Sequence, residues 1–192
     1  MPRCYSAAMA KRQTIKGPGI PRLILLTDAR NDAALAGAIA RLPPGSAVVF
    51  RHYHLPPQTR RRRFEALQRL ARARGVLVIG AAVPRGWRCD GVYGAAQAIA
   101  RRAGRAGRAG LRLATAHSLA QIADAVRVGA DAVLLSPVHA TRSHPGGRVL
   151  GPVRFLHLAR QSPVPVIALG GVNRRRAARL PVHGWAAIDG LV

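Results

Sequence analysis

Residues 118–171, SLAQIADAVRVGADAVLLSPVHATRSHPGGRVLGPVRFLHLARQSPVPVIALGG, decide the fold. Ser118 is a residue type that caps helices, its hydroxyl accepting an orphan N–H of the first turn. Behind it Leu119, Ile122, Ala123 and Val126 recur at helical spacing, and Gly129 supplies the residue that closes such a helix. Ala132-Val133-Leu134-Leu135 then runs apolar without alternation, as a parallel strand buried on both faces does. A polar loop, a second helical stretch over 152–161 and a second apolar run over 164–169 (VPVIAL) repeat the order. Strands alternating with helices in this rhythm make a parallel sheet with crossover helices.

The rhythm extends in both directions. Strand-like runs occupy 22–27 (RLILLT), 47–50 (AVVF), 76–79 (VLVI), 91–93, 111–114 and 186–188. Helical patterns occupy 32–41, 59–74, 95–103 and 174–180. In the 59–74 segment Thr59 suits the cap, Phe64, Leu67 and Leu70 point to the core, and the arginines point to water. Eight strand candidates predict an α/β fold, a single (β/α)8 TIM barrel with its last helix truncated or missing. An open doubly wound sheet is the competitor, and its G-x-G-x-x-G fingerprint is absent. The barrel is assigned 21–192, with 1–20 a basic, loosely ordered leader. The repetitive RRAGRAGRAG at 101–110 reads as a frayed helix end plus loop. Apolar surface left by the missing helix predicts cover from the leader or from a second copy in a homodimer.

Composition narrows the function. At 192 residues and 49% hydrophobic the chain holds one domain with a sizeable core. It has no run long enough to span a membrane and no signal-peptide core. Cys4 and Cys89 form no C-x-x-C pair, which argues for a reducing compartment, the cytoplasm, and against a disulfide or zinc framework. The net charge of +24 invites a nucleic-acid reading. Only Lys11 and Lys16 are lysines, however; the arginines are scattered over helices, and no aromatic residues interleave them for base stacking. The charge reads as a solvated basic surface.

In such a barrel the site lies at the C-terminal ends of the strands. Those ends carry Thr27, Asp28, Arg51, His52, Asp90, Thr115, His117, the stretch from Ser136 to His144, Gly170, Gly171 and Asp189. The Gly170-Gly171 pair after an apolar strand lets backbone N–H groups approach a phosphate, though a plain tight turn has the same appearance. The loop from Ser136 to Gly147 is rich in Gly, hydroxyl, His and Arg and reads as an anion-binding lid or a surface loop. Arg51 follows a strand directly and suits an anionic ligand, with Asp28 as its ion-pair partner. His117 precedes a helix, where it serves as acid or base or as a structural residue.

At these positions the order LILLTD, VVFRH, DGVY, ATAHS, GADAVLLSPVHATRS, PVPVIALGG and GWAAID resembles the thiamine phosphate synthase/TenI family, from residue 22 onward. The resemblance implies a TIM barrel of thiamine biosynthesis that joins a pyrimidine pyrophosphate to thiazole phosphate with Mg²⁺. It offers two alternatives: a TenI-like, metal-independent tautomerase moving a proton in thiazole phosphate, or a non-catalytic phosphate-binding relative. Carried over by position, Arg51 contacts the pyrophosphate, while Thr115, Thr141 and Ser143 supply hydroxyls. Gly170 and Gly171 form the phosphate cradle with Ala187 and Ile188, Asp90 is a metal-binding acid, and His117 is the acid/base. His144 stands where a lysine is usual and Asp189 where a serine is usual. The family's Asn-Asp after strand 3 is replaced by Val78-Ile79-Gly80-Ala81-Ala82, and the Gly-Gln after DGV-His is lost. Asp90 is then the one matched protein ligand for Mg²⁺, which prefers near-octahedral oxygen coordination.

Overall fold

Apolar runs that face helices on one side and each other on the other side can be satisfied only by closure. The computed structural model, which describes residues 19–103, 110–142 and 146–192, has that arrangement. Eight parallel strands close in sequence order: β1 (Leu23–Leu26), β2 (Ala47–Phe50), β3 (Leu77–Ala81), β4 (Gly91–Gly94), β5 (Leu111–Ala116), β6 (Ala132–Leu135), β7 (Val166–Ala168) and β8 (Gly184–Ala187). The connecting helices are α1 (Leu35–Arg41), entered through a 3-10 turn at Ala29–Ala34, α2 (Pro57–Ala73), α3 (Ala96–Ala103), α4 (Leu119–Arg127), α5 (Gly151–Arg160) and the single-turn α6 (Arg174–Ala177). Among the described residues no helix joins β3 to β4 and none follows β8. Among the described residues no helix is long and apolar enough to cross a membrane.

Strand parity explains why the runs do not alternate. Ile24, Leu26, Val49, Ile79, Leu113, Leu134 and Ile167 fill the barrel interior. Their neighbours Leu25, Val48, Phe50 and Val78 pack outward against α1 and α2, and Val133, Leu135, Val166 and Ala168 pack outward with Ile122 and Phe155 of α4 and α5. Strands β2, β6 and β7 are thus buried on both faces throughout, at about 25 cal/mol per Å² of apolar area removed from water, while β4 and β8 are only partly covered. Phe50, Phe64 and Trp87 form an aromatic cluster, with ring centroids 5.3 Å apart for the first pair and 4.7 Å for the second.

Local expectations met mixed outcomes. Ser118 caps α4 by accepting from Gln121 N–H at 3.3 Å. Thr59 caps nothing: α2 starts at Pro57, whose missing N–H suits a first-turn position. Leu70 lies on the exposed side of α2, unlike Phe64 and Leu67. The helical pattern at 174–180 shortens to one turn because its three arginines give it no buried side chain.

Two devices set the register at the N-terminal end of the barrel. Asp90, just before β4, exchanges bonds with the preceding strand: its N–H donates to Val78 O and its Oδ2 accepts from Val78 N–H, both at 2.8 Å. Asp131, just before β6, repeats the pattern on Arg112, with 2.9 Å for each bond. Across the closing seam, Asn31 Nδ2 donates to Leu26 O and to Ile188 O, both at 3.0 Å, tying β1 to β8.

Candidate functional site

The C-terminal mouth of the barrel holds a cavity of about 840 Å³. It is walled by Arg51 and Tyr53 after β2, Tyr93 on β4, Thr115 on β5 and His117 after it, Ser136, Pro137 and Ala140 to Arg142 after β6, Gly170 to Asn173 after β7, and Ala187 to Gly190 at the end of β8. Among the described residues Arg51, Arg142, Arg148 and Arg176 border it and Asp189 is the one acid in its wall. Four guanidinium groups against one carboxylate make the cavity a place for an anion. A smaller cavity of about 380 Å³ lies beside it, between the β3–β4 link and α3, and shares the Tyr93 wall.

The glycine pair owes its place to close packing. Gly170 and Gly171 adopt φ of +93° and +62°, the left-handed region that favours glycine. A Cβ on Gly170 would stand 2.6 Å from Pro137 Cβ, and one on Gly171 would come within van der Waals overlap of Ala140 O and 2.8 Å of His139 Cβ. This closeness lets the loop after β6 zip onto the loop after β7: Val138 N–H donates to Leu169 O at 2.9 Å and His139 N–H to Gly170 O at 3.0 Å. The Gly171 carbonyl is taken by Arg176. The two glycine N–H groups make no hydrogen bond among the described residues, so they remain available to a ligand oxygen.

His117 is oriented by its neighbours. Its N–H donates to Gln121 Oε1 at 2.8 Å, and its ring Nδ1 lies 2.7 Å from Ser136 O and 3.3 Å from Ser136 Oγ. A carbonyl can only accept, so Nδ1 carries the proton, and in the neutral ring Nε2 holds the lone pair. His117 also lines the cavity, so this arrangement offers a base to a bound molecule.

Arg51 is held by Asp28 at 3.7 Å, as the sequence suggested. Asp28 also accepts from Arg30 Nε at 2.9 Å, and Arg30 reaches Asp189 at 3.5 Å. Burial alone would raise the Asp28 pKa; the bonds from Arg30 and the charges of Arg30 and Arg51 outweigh it and hold the carboxyl below its ordinary value. On Tyr93 the sign is reversed, burial pushing the phenol up to about 12 against the nearby Arg51 charge, so it stays a neutral donor.

The expected residues separate into three groups. Arg51, Thr115, Thr141, His117, Gly170, Gly171, Ala187 and Ile188 come together around one cavity. Ser143 and His144 lie outside the described residues. Asp90 is corrected: it precedes β4 rather than following it, so it stands at the opposite end of the barrel with its carboxylate on Val78 N–H. Among the described residues no group of three or more His, Cys, Asp or Glu is placed to hold a metal ion. The nearest acids to the cavity, Asp28 and Asp189, are committed to arginines. Such a donor set does not fit Mg²⁺. Tyr53, Tyr93, Arg148, Asn173 and Arg176 were not picked from the sequence. Tyr53 and Asn173 lie three and five places beyond their strand ends, in the loops that also carry Arg51 and the glycine pair, and that nearness is the signal that would have found them.

Comparison with known proteins identifies the family and agrees with the fold. A family model described as thiamine monophosphate synthase matches residues 23–191. A putative thiamine-phosphate synthase 2 of Aquifex aeolicus is 38% identical over 77 residues, which is 40% of this chain and 41% of that protein. A thiamine-phosphate synthase of Chloroflexus aurantiacus is 33% identical over 82 residues, 41% of this chain and 38% of that protein. The matched segments thus span about two fifths of those relatives. Among solved structures, a thiamine phosphate pyrophosphorylase from Pyrococcus furiosus superposes with a TM-score of 0.69 at 22% identity, covering 87% of this chain and 85% of that one. FabK from Thermotoga maritima superposes at 0.66 with 18% identity, covering 90% and 59%. Both share the fold.

Proposed function

Because the chain belongs to the thiamine monophosphate synthase family, we propose that it binds a thiazole phosphate and moves a proton on it without a metal, as a tautomerase. The observation that carries this reading is the His117 tautomer: Nδ1–H given to Ser136 O leaves Nε2 as a base at the cavity wall. In the reaction Nε2 takes a proton from one position of the heterocycle, and the imidazolium returns it to another. The substrate's electron pair shifts within the ring system, and no oxidant or leaving group is needed. The phosphate sits against the Gly170 and Gly171 N–H groups with Arg176 beside them. Tyr93 and Thr115 give hydrogen bonds to ring substituents. A positioned base of this kind contributes about 10²–10⁴ in rate.

A second reading, synthesis of thiamine phosphate from a pyrimidine pyrophosphate, is favoured by the family and by the four arginines around the cavity. It requires those arginines to carry the leaving-group charge that Mg²⁺ carries in the family, since the acids present do not fit the ion. A non-catalytic phosphate-binding role is the third. The test is turnover and calorimetric binding of thiazole phosphate in EDTA. Turnover in EDTA that disappears in His117→Ala while binding persists supports the tautomerase. Thiamine phosphate formation that depends on Mg²⁺ replaces it with the synthase, and binding without turnover leaves the third role.

A further inference from the structure

Behind the cavity wall runs a chain of polar groups, buried at Thr27 and His52 and reaching the surface at Asp32, that none of these roles uses. Thr27, at the end of β1, and His52, two residues past β2, are both fully buried. Thr27 Oγ1 and His52 Nδ1 are 2.7 Å apart, and His52 Nε2 and Asp32 Oδ1 are also 2.7 Å apart. Arg63 Nε donates to the same Asp32 oxygen at 2.8 Å, and its Nη2 to Asp32 O at 2.7 Å. An ionised Asp32 only accepts, so His52 Nε2 carries the ring proton and Nδ1 accepts from the Thr27 hydroxyl. Burial pushes the His52 pKa down despite the Asp32 bond, which keeps the ring neutral and the direction of the chain fixed.

The order hydroxyl, imidazole, carboxylate is that of a nucleophile triad, but Thr27 has no exposed surface. Its remaining lone pair instead accepts Arg51 N–H at 2.9 Å. On the other side, the Arg51 carbonyl accepts from Arg60 Nε at 3.3 Å and Nη2 at 2.8 Å, and the same guanidinium reaches Ala81 O and Ala82 O. His52 adopts φ of +35°, an uncommon conformation for a residue with a side chain. That turn folds its ring back under the strand, where it stacks on Phe50 with centroids 4.9 Å apart. The positive φ of His52 and two polar partners, the buried Thr27 hydroxyl on the N–H and the Arg60 guanidinium on the carbonyl, converge on the backbone of the cavity-lining Arg51.

We propose that His52, through Thr27, is a positioning residue that holds Arg51 at the mouth of the barrel, so that anion binding in the cavity depends on a hydroxyl–imidazole–carboxylate chain outside it. The inference rests on the anionic-ligand part of the proposed function and is independent of whether His117 is a base.

A double-mutant cycle with inorganic pyrophosphate as the probe tests it, affinities being measured by calorimetry in EDTA. Thr27→Val removes the hydroxyl at nearly constant shape and weakens binding about tenfold, as loss of a bond serving a charged contact does. Arg51→Gln weakens it by at least as much. The double variant binds no worse than Arg51→Gln alone, and Thr27→Ser restores the affinity. His52→Asn, a residue type tolerated at positive φ, cuts the chain independently and gives the same non-additivity. Multiplying effects, or wild-type affinity in Thr27→Val, overturn the proposal, because a merely structural role would add to the loss of Arg51. A wild-type chain that binds no pyrophosphate also overturns it, while leaving the His117 turnover test standing on its own.

Discussion

Gly171→Ala is the substitution whose cost can be worked most directly. The φ of +62° charges an L-residue about 1 kcal/mol. The new methyl would overlap Ala140 O and stand 2.8 Å from His139 Cβ, so the loop after β6 must shift or the β7 turn must. Overpacking of that kind costs roughly 1–3 kcal/mol. The sum is about 2–4 kcal/mol, a large share of the roughly 5–15 kcal/mol that holds a domain folded. Gly45→Ala is the control, since Gly45 has φ of +80° but no atom within 4 Å of the added carbon. It should lose only the conformational part, about 1 kcal/mol. Urea unfolding compares the two, and pyrophosphate titration shows whether the Gly171 variant also loses the cradle. Equal losses in stability, with ligand affinity untouched, would refute the claim that the two loops are held together through the missing side chain.

Three further outcomes are expected. Asp90→Ala leaves Val78 N–H without its acceptor and lowers stability by about 1–3 kcal/mol, while ligand affinity stays at the wild-type value; a fall in affinity in the folded variant would return Asp90 to the site. His52 is held neutral with a pKa below 6.5, so the unfolded chain binds more protons than the folded one below that value. Stability should therefore fall as pH drops from 6.5, and denaturant midpoints of His52→Asn should lack that part of the slope. Asp28 has the complementary sign: its depressed pKa gives stability above 3.8 that is lost as pH falls through the folded value, so Asp28→Asn should destabilise at pH 7 and converge with wild type in strong acid.

The barrel was legible because it rests on repetition. Apolar runs such as 132–135 and 164–169, each following a helical pattern, leave few arrangements that bury both faces. That Arg51, Gly170 and Gly171, each next to a well-marked strand end, would stand at the barrel mouth was legible for the same reason. Asp90 was misplaced because the family resemblance, and not chain direction, put it in the site: it precedes the Gly91–Tyr93 run and so belongs to the N-terminal end of that strand. Its role depends on the pairing partner, Val78, which sequence spacing does not name. Arg60 illustrates another limit: it reads as one of several arginines on a solvated helix face, yet its guanidinium binds three carbonyls at strand ends. His52 stood with Arg51 among the polar residues at a strand end, and its ring is instead held behind the cavity wall by Thr27, Asp32 and Phe50.

The seam between β1 and β8 has a kinetic consequence. Neighbouring strands meet across short stretches of chain, as Thr27 and His52 do at a separation of 25 residues, whereas Asn31 and Ile188 are 157 apart. Loop closure grows as about (3/2)RT ln n, so the seam costs about 1.6 kcal/mol more than a neighbouring pair to bring together. Its contacts should accordingly form late, after sequential pairing has delivered the two edges to each other. Substitutions at Asn31 should then accelerate unfolding and leave the refolding rate nearly unchanged.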